Sequence, residues 1–108
     1  MAQFQQISPA DARSLITSRD DIQIADIRDA MSYQAGHITA AHRVDNENLN
    51  QFIASTDKQK PLIVCCYHGN SSQGAAQYFA SQGYDEVYSL KGGYEMWKTA
   101  FPELCQRG

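Results

Sequence analysis

An unbroken apolar run, Pro61-Leu62-Ile63-Val64-Cys65-Cys66, constrains this chain more than any other stretch. A strand with one face in water alternates polar and apolar side chains, because successive residues point to opposite faces. An unbroken run instead belongs to a strand covered on both faces, and that arrangement is typical of parallel sheets flanked by helices.

The rest of the sequence supplies matching pieces. Ser8 can cap a helix, Pro9 suits its first position, and Asp11 sits where a capping-box acid belongs. Ala12, Leu15 and Ile16 continue as a helical stripe. That pattern stops near Ser18-Arg19-Asp20. Residues 22–27 read as a short strand ending in charge. Residues 30–35 read as one or two helical turns closed by Gly36, and 42–44 as a weak strand or turn. Leu49, Phe52 and Ile53 mark an amphipathic helix. An Ala-rich helix is expected from Ser72 to Gln82, stopped by Gly83, and a strand from Glu86 to Leu90. After the Gly92-Gly93 break, Tyr94, Trp97 and Phe101 carry a last helix whose large side chains belong in the core. Strand and helix alternate throughout. The expectation is an α/β fold: one domain over 1–108, core about 4–101, with a mostly parallel sheet of four or five strands and helices on both faces. The tail after Pro102 is expected to fray.

Composition narrows the partners. The chain has 108 residues, 43% apolar and 19% charged, with a net charge of -3. Dispersed charge of that sign argues against nucleic acid or an anionic membrane as the main partner. No apolar run approaches the roughly 20 residues that span a bilayer. The opening MAQFQQISPA lacks the basic and apolar regions of a secretory signal. There are three cysteines, two of them adjacent, and a disulfide between neighbours is strained. Reduced thiols and a cytoplasmic location fit better than a secreted disulfide frame. Three scattered histidines and no Cys-x-x-Cys pair disfavour zinc.

Sites in open parallel sheets gather where strands end and helices begin. Cys66 falls there, while strand alternation turns Cys65 into packing. The loop Tyr67-His68-Gly69-Asn70-Ser71 is short and polar, and Gly69 and Asn70 tolerate left-handed backbone angles. Such a turn can aim successive N–H groups inward as an anion nest. The helix beginning at Ser72 adds free N–H groups and its dipole. No Asp or Glu occurs between Lys58 and Tyr84. Cys66 is therefore the candidate nucleophile, with its thiolate stabilised by the cup formed from Tyr67, His68, Gly69, Asn70, Ser71 and Ser72. On the residues alone, a small core cysteine beside an ordinary turn stays open. Cys65 reads as core, and Cys105 has no cradle.

The supporting residues each have a plainer reading. Asp26 and Arg28 fall at a strand end near the expected mouth. Arg28 either steers an anion or braces the loop, or it forms a structural or exposed pair; the structural reading is favoured. His37 reads as a backbone-bonding turn residue and His42 as structural. Tyr67 and His68 either shape entry or stand exposed. Lys91 either adds positive potential or is simply solvated.

Four segments in order resemble one family: Asp26-Ile27-Arg28 at a strand end; Tyr33, Gly36-His37-Ile38 and Ala40-Ala41; Cys66 to Ser72; and Gly92-Gly93-Tyr94-Glu95-Met96-Trp97. Together they resemble the rhodanese family, specifically its single-domain GlpE-type thiosulfate sulfurtransferases, over nearly the whole chain. The resemblance implies a five-stranded parallel sheet and a sulfur relay at Cys66. Thiosulfate would be the donor, a Cys66 persulfide the intermediate, and cyanide or a thioredoxin-like dithiol the acceptor. No cofactor or metal is implied. Many rhodanese loops carry Arg or Lys, whereas here only His68 could supply charge, so weak saturation on the order of millimolar is expected. The competing functions are a catalytically silent rhodanese-fold binding or sensor module and a cysteine-dependent phosphatase or arsenate reductase. The phosphatase needs an arginine that forks onto phosphate, and the position six after Cys66 is Ser72. A dithiol redox protein using Cys65 and Cys66 meets the strain noted above.

Overall fold

The computed structural model describes residues 3–108. Met1 and Ala2 of the expected 1–108 domain lie outside the described residues. In chain order the elements are β1 (Gln5–Ile7), α1 (Pro9–Ser18), β2 (Gln23–Asp26), α2 (Ala30–Ala35), β3 (His37–Ile38) and β4 (His42–Arg43). Then follow α3 (Leu49–Ser55), β5 (Leu62–Cys65), α4 (Ser71–Ser81), β6 (Val87–Leu90), α5 (Gly93–Ala100), a 3-10 turn (Pro102–Leu104) and β7 (Cys105–Gln106).

Five strands form one sheet in the order β1-β6-β5-β2-β4, and every pair in it is parallel. The apolar run lies at its centre as β5, paired with β2 on one side and β6 on the other. Alternation along β5 divides the core in two. Ile63 and Cys65 join Ala12, Tyr94 and Trp97 under α1 and α5. Leu62 and Val64 join Phe52, Ala76 and Phe79 under α3 and α4. Trp97 and Phe79, at 0% and 1% exposure, are the largest buried side chains of the two halves. Truncating such residues costs about 3–5 kcal/mol. Ser8 caps α1 as its sequence predicts, its side chain accepting from the Asp11 amide at 3.1 Å.

The chain after Pro102 does not fray. Cys105–Gln106 pairs antiparallel with His37–Ile38, and the Thr39 amide donates to the Leu104 carbonyl at 2.9 Å. Leu104 and Cys105 pack against the α1/α5 half of the core. The expectation failed because the tail carries no amphipathic pattern; its order comes from a strand partner far back in the chain. Short edge strand β1 is likewise unmarked by periodicity.

Chain order reverses around β5. From β2 the chain moves outward to β4, then returns across β2 to β5 and on to β6. The carboxyl ends of β2 and β5 therefore flank a switch point, where open sheets of this kind leave a crevice. Cys66 is the residue that follows β5.

Candidate active site

Cys66 is 3% exposed. Two main-chain amides converge on its sulfur: Gly69 N–H donates to Cys66 Sγ at 3.1 Å and Ser72 N–H at 3.3 Å. Burial opposes ionisation of this thiol. Hydrogen bonds from the Ser72 hydroxyl and from the Ser72, Gly69 and His68 amides outweigh it, and the Cys66 pKa lies below the ordinary thiol value. Its neighbour moves the other way. Cys65 is 0% exposed; burial, then the Asp26 carboxylate, push its thiol well above the ordinary value. Adjacent thiols are thus shifted in opposite directions, Cys66 toward easier ionisation and Cys65 away from it. All three cysteines are free.

The loop holds this shape through glycine. Gly69 has φ +88°, in the left-handed region. A Cβ there would also lie 2.8 Å from Gly92 N and 3.1 Å from Leu90 O. Asn70, expected to share the left-handed role, has φ -92° and ψ -59°. One left-handed residue is enough to turn the chain, and Asn70 already takes helical angles ahead of α4. Gln73 Nε2 donates to Gly69 O at 2.9 Å and ties the turn to the helix.

A second helix closes the loop from the other side. Tyr94 N–H donates to Cys66 O at 2.8 Å and Glu95 N–H to Tyr67 O at 3.1 Å. The first free amides of α5 are thereby spent on the carbonyls of the loop. Gly93, at φ +61°, permits the approach; a Cβ there would collide with the Tyr67 carbonyl and lie 2.6 Å from Cys66 O. Sequence reasoning treated Gly92-Gly93 as a break. Its second role, close passage of one backbone over another, has no separate signal in one sequence.

Arg28 is not a free cation at the mouth. Its Nη2 donates to Asp26 Oδ2 at 2.7 Å and its Nε to Asp26 Oδ1 at 3.0 Å, with both side chains buried. Nη2 also donates to Gly36 O at 2.7 Å. The guanidinium stacks over the Tyr94 ring at 4.2 Å and lies 5.8 Å from the Tyr67 ring centre. The favoured structural pair is present, and it is buried. Arg28 thus ties the end of β2 to Gly36 and packs on the Tyr94 ring.

The remaining loop residues divide by exposure. Tyr67 is half-exposed; its hydroxyl donates to the Asp29 carboxylate and lies 3.1 Å from Ser32 Oγ. His68, Asn70 and Ser71 are exposed, and Ser72 is buried. Lys91 is exposed, its amide bonded to Ile7 O. His37 is buried, with Nδ1 2.8 Å from Tyr33 O and its ring stacked on Tyr33. These contacts make it structural. A cleft of about 540 Å³ opens beside α3 and α4, lined by Ile27, Val44, Leu49 and Phe79 among others; Cys66 is not on its wall.

The chain matches known proteins over most of its length. The Rhodanese-like domain family matches residues 8–100. The chain belongs to the rhodanese family. A protein of Pseudomonas fluorescens (strain SBW25), named Thiosulfate sulfurtransferase GlpE, is 50% identical over 108 residues, covering 100% of this chain and 97% of that protein. A protein of the same name from Pseudomonas paraeruginosa is 50% identical over 105 residues, 97% of this chain and 94% of that protein. Among solved structures, the rhodanese-like domain of the Anabaena Alr3790 protein superposes with a TM-score of 0.81 at 27% identity, covering 95% of this chain and 79% of that one. As a rhodanese, this chain is of the single-domain GlpE type.

Proposed function

We propose that this rhodanese is a thiosulfate sulfurtransferase with Cys66 as its nucleophile, and that residues 1–108 act as one domain. The observation that carries the reading is the pair of amides, Gly69 and Ser72, aimed at a sulfur whose pKa is lowered. A thiolate is the attacking form, and the same donors suit the anion that replaces it. The names of the two Pseudomonas relatives support the same donor and chemistry.

The Cys66 thiolate attacks the outer sulfur of thiosulfate. The new bond joins the two sulfurs, the bond to the sulfonate sulfur breaks, and sulfite leaves with that electron pair. One negative charge remains on the terminal sulfur of a Cys66 persulfide, held by the amides of the loop. In the second half-reaction cyanide attacks that sulfur, thiocyanate leaves, and the Cys66 thiolate returns. A thioredoxin-like dithiol acts on the same sulfur. One of its thiols takes the sulfur, the second closes a disulfide, and hydrogen sulfide is released. Two half-reactions on one nucleophile give ping-pong kinetics. Both acceptors attack as nucleophiles, and three cysteines joined by no disulfide fit a cytoplasmic setting. Among the described residues no helix is long and apolar enough to cross a membrane.

Incubation with thiosulfate, followed by intact mass and peptide mapping, tests the reading. One added sulfur on Cys66, released by cyanide as thiocyanate, is the expected result. No added sulfur, or sulfur only on Cys65 or Cys105, would overturn it. Release of phosphate from an aryl phosphate would move the assignment to the phosphatase class.

A further inference from the structure

Of two buried hydroxyls behind Cys66, that of Ser72 helps to hold the sulfur anion, and that of Ser89 has no part in the relay as described so far. Ser72 Oγ and Ser89 Oγ lie 2.7 Å apart, and their residues are 0% and 1% exposed. Ser89 is on β6, directly opposite Val64 of β5. Ser72 is in the first turn of α4, where its amide already donates to Cys66 Sγ. Strand, helix and loop thus bring Ser89, Ser72 and Cys66 into one line.

Each hydroxyl has a single proton to give. If Ser72 donates to Ser89, it has nothing to offer the sulfur. If Ser89 donates to Ser72, the Ser72 proton is free to point at Cys66 Sγ. Beside an anionic sulfur the second arrangement is lower in energy, because a hydrogen bond to a charged acceptor is the stronger one and polarises the bond behind it. Burial keeps water from replacing Ser89. Without that partner, the Ser72 hydroxyl loses the hydrogen bond that fixes its direction.

Resting on the sulfurtransferase reading, we propose that Ser89 is a positioning residue for sulfur transfer: its hydrogen bond holds the Ser72 hydroxyl as a donor to the Cys66 sulfur anion. The other titratable groups around the loop are Asp26 and Arg28, which pair with each other, Asp29, which accepts from Tyr67, then Cys65, His68, Lys91, Tyr94, and Glu95, which pairs with Lys98. All of them are unchanged in the variants below, so a shift reports the hydroxyls.

The test is the pH dependence of iodoacetamide alkylation at Cys66, read by peptide mass, in wild type, Ser89→Ala, Ser89→Thr, Ser72→Ala and the double alanine variant. This readout needs no sulfur transfer. Ser89→Ala is expected to raise the midpoint by about 0.5–1 pH unit, as loss of one charge-assisted hydrogen bond should. It should also lower kcat/KM for thiosulfate about 3–10-fold below that midpoint. Ser89→Thr keeps the hydroxyl and the wild-type midpoint. The double variant matches Ser72→Ala alone, since Ser89 acts only through Ser72. An unchanged midpoint in folded Ser89→Ala, or shifts that add in the double variant, would overturn the proposal. Should Ser89→Ala not fold, Ser72→Ala decides: an unchanged midpoint there removes the donor that Ser89 is said to hold. Failure of wild type to take sulfur from thiosulfate counts against the sulfurtransferase reading, and the alkylation midpoints still decide the role of Ser89.

Discussion

The Tyr94 amide donates to the Cys66 carbonyl at 2.8 Å. The residue bearing the candidate nucleophile is therefore fixed from α5 as well as from β5 and α4. Gly93 makes this contact possible. Gly93→Ala places a Cβ against the Tyr67 carbonyl and forces a φ of +61° on a residue with a side chain. Strain of this kind costs on the order of 1–3 kcal/mol, with steric conflict added. The expected outcome is a lowered urea midpoint and at least a tenfold loss of thiosulfate kcat/KM. Wild-type values for both would refute the close-packing account.

The two adjacent cysteines should separate cleanly. Cys66→Ser removes the attacking atom and should abolish sulfur loading. Cys65→Ser replaces a core thiol that donates weakly to the Cys66 carbonyl at 3.5 Å. It should retain most turnover and lose about 1 kcal/mol or less of stability, as modest core changes do. Intact mass after thiosulfate, together with thiocyanate release, checks both.

Activity should rise with pH on a limb set by Cys66. Burial resists ionisation, but the hydrogen bonds prevail and hold the pKa below the ordinary thiol value, which is about 8.5. The limb should therefore lie below that pH in kcat/KM for thiosulfate. Stability carries the same sign. The folded state releases this proton before the unfolded chain does, so the contribution is complete above the unfolded value. It is lost as pH falls through the folded one. Cys65 acts oppositely: burial raises its folded pKa. Its contribution is complete below the unfolded thiol value, about 8.5, and declines as pH rises beyond it. A limb centred above that value would contradict the amide cup.

Asp26 and Arg28 should behave as one unit. Arg28→Met leaves the Asp26 carboxylate buried at 0% exposure without its partner, and breaking such a pair costs about 3–5 kcal/mol. Arg28→Lys should recover only part of this, because a point charge cannot form the two-pronged contact or the stack on Tyr94. Asp26→Leu combined with Arg28→Met should be less destabilised than Arg28→Met alone. Urea denaturation of wild type, Asp26→Leu, Arg28→Met and the double variant measures the coupling, and simple additivity would show that the pair is not coupled.

Truncation after Phe101 should destabilise the domain. It removes β7 from β3 and strips Leu104 and Cys105 from the core. Burial of side chains of this kind contributes about 1–3 kcal/mol each. A thermal midpoint equal to that of the full chain would mean the tail is dispensable, as its sequence alone led us to expect.

The sequence by itself determined the layers and the position of the loop. An apolar run too continuous for a half-exposed strand required cover on both faces. A small polar loop followed by an Ala-rich helix placed free amides next to Cys66. Alternation turned Cys65 inward. These are local properties, fixed by the period of the backbone and the chemistry of neighbouring residues. Only the tertiary structure decided what meets from far away: Ser89 behind Ser72, the amides of α5 on the loop carbonyls, Arg28 enclosed between Asp26 and Tyr94, and the tail paired with β3. Each joins residues whose separation along the chain carries no periodic signal. The contacts exist because parallel strands bring distant segments to one edge, and a single sequence does not encode that meeting in any one stretch.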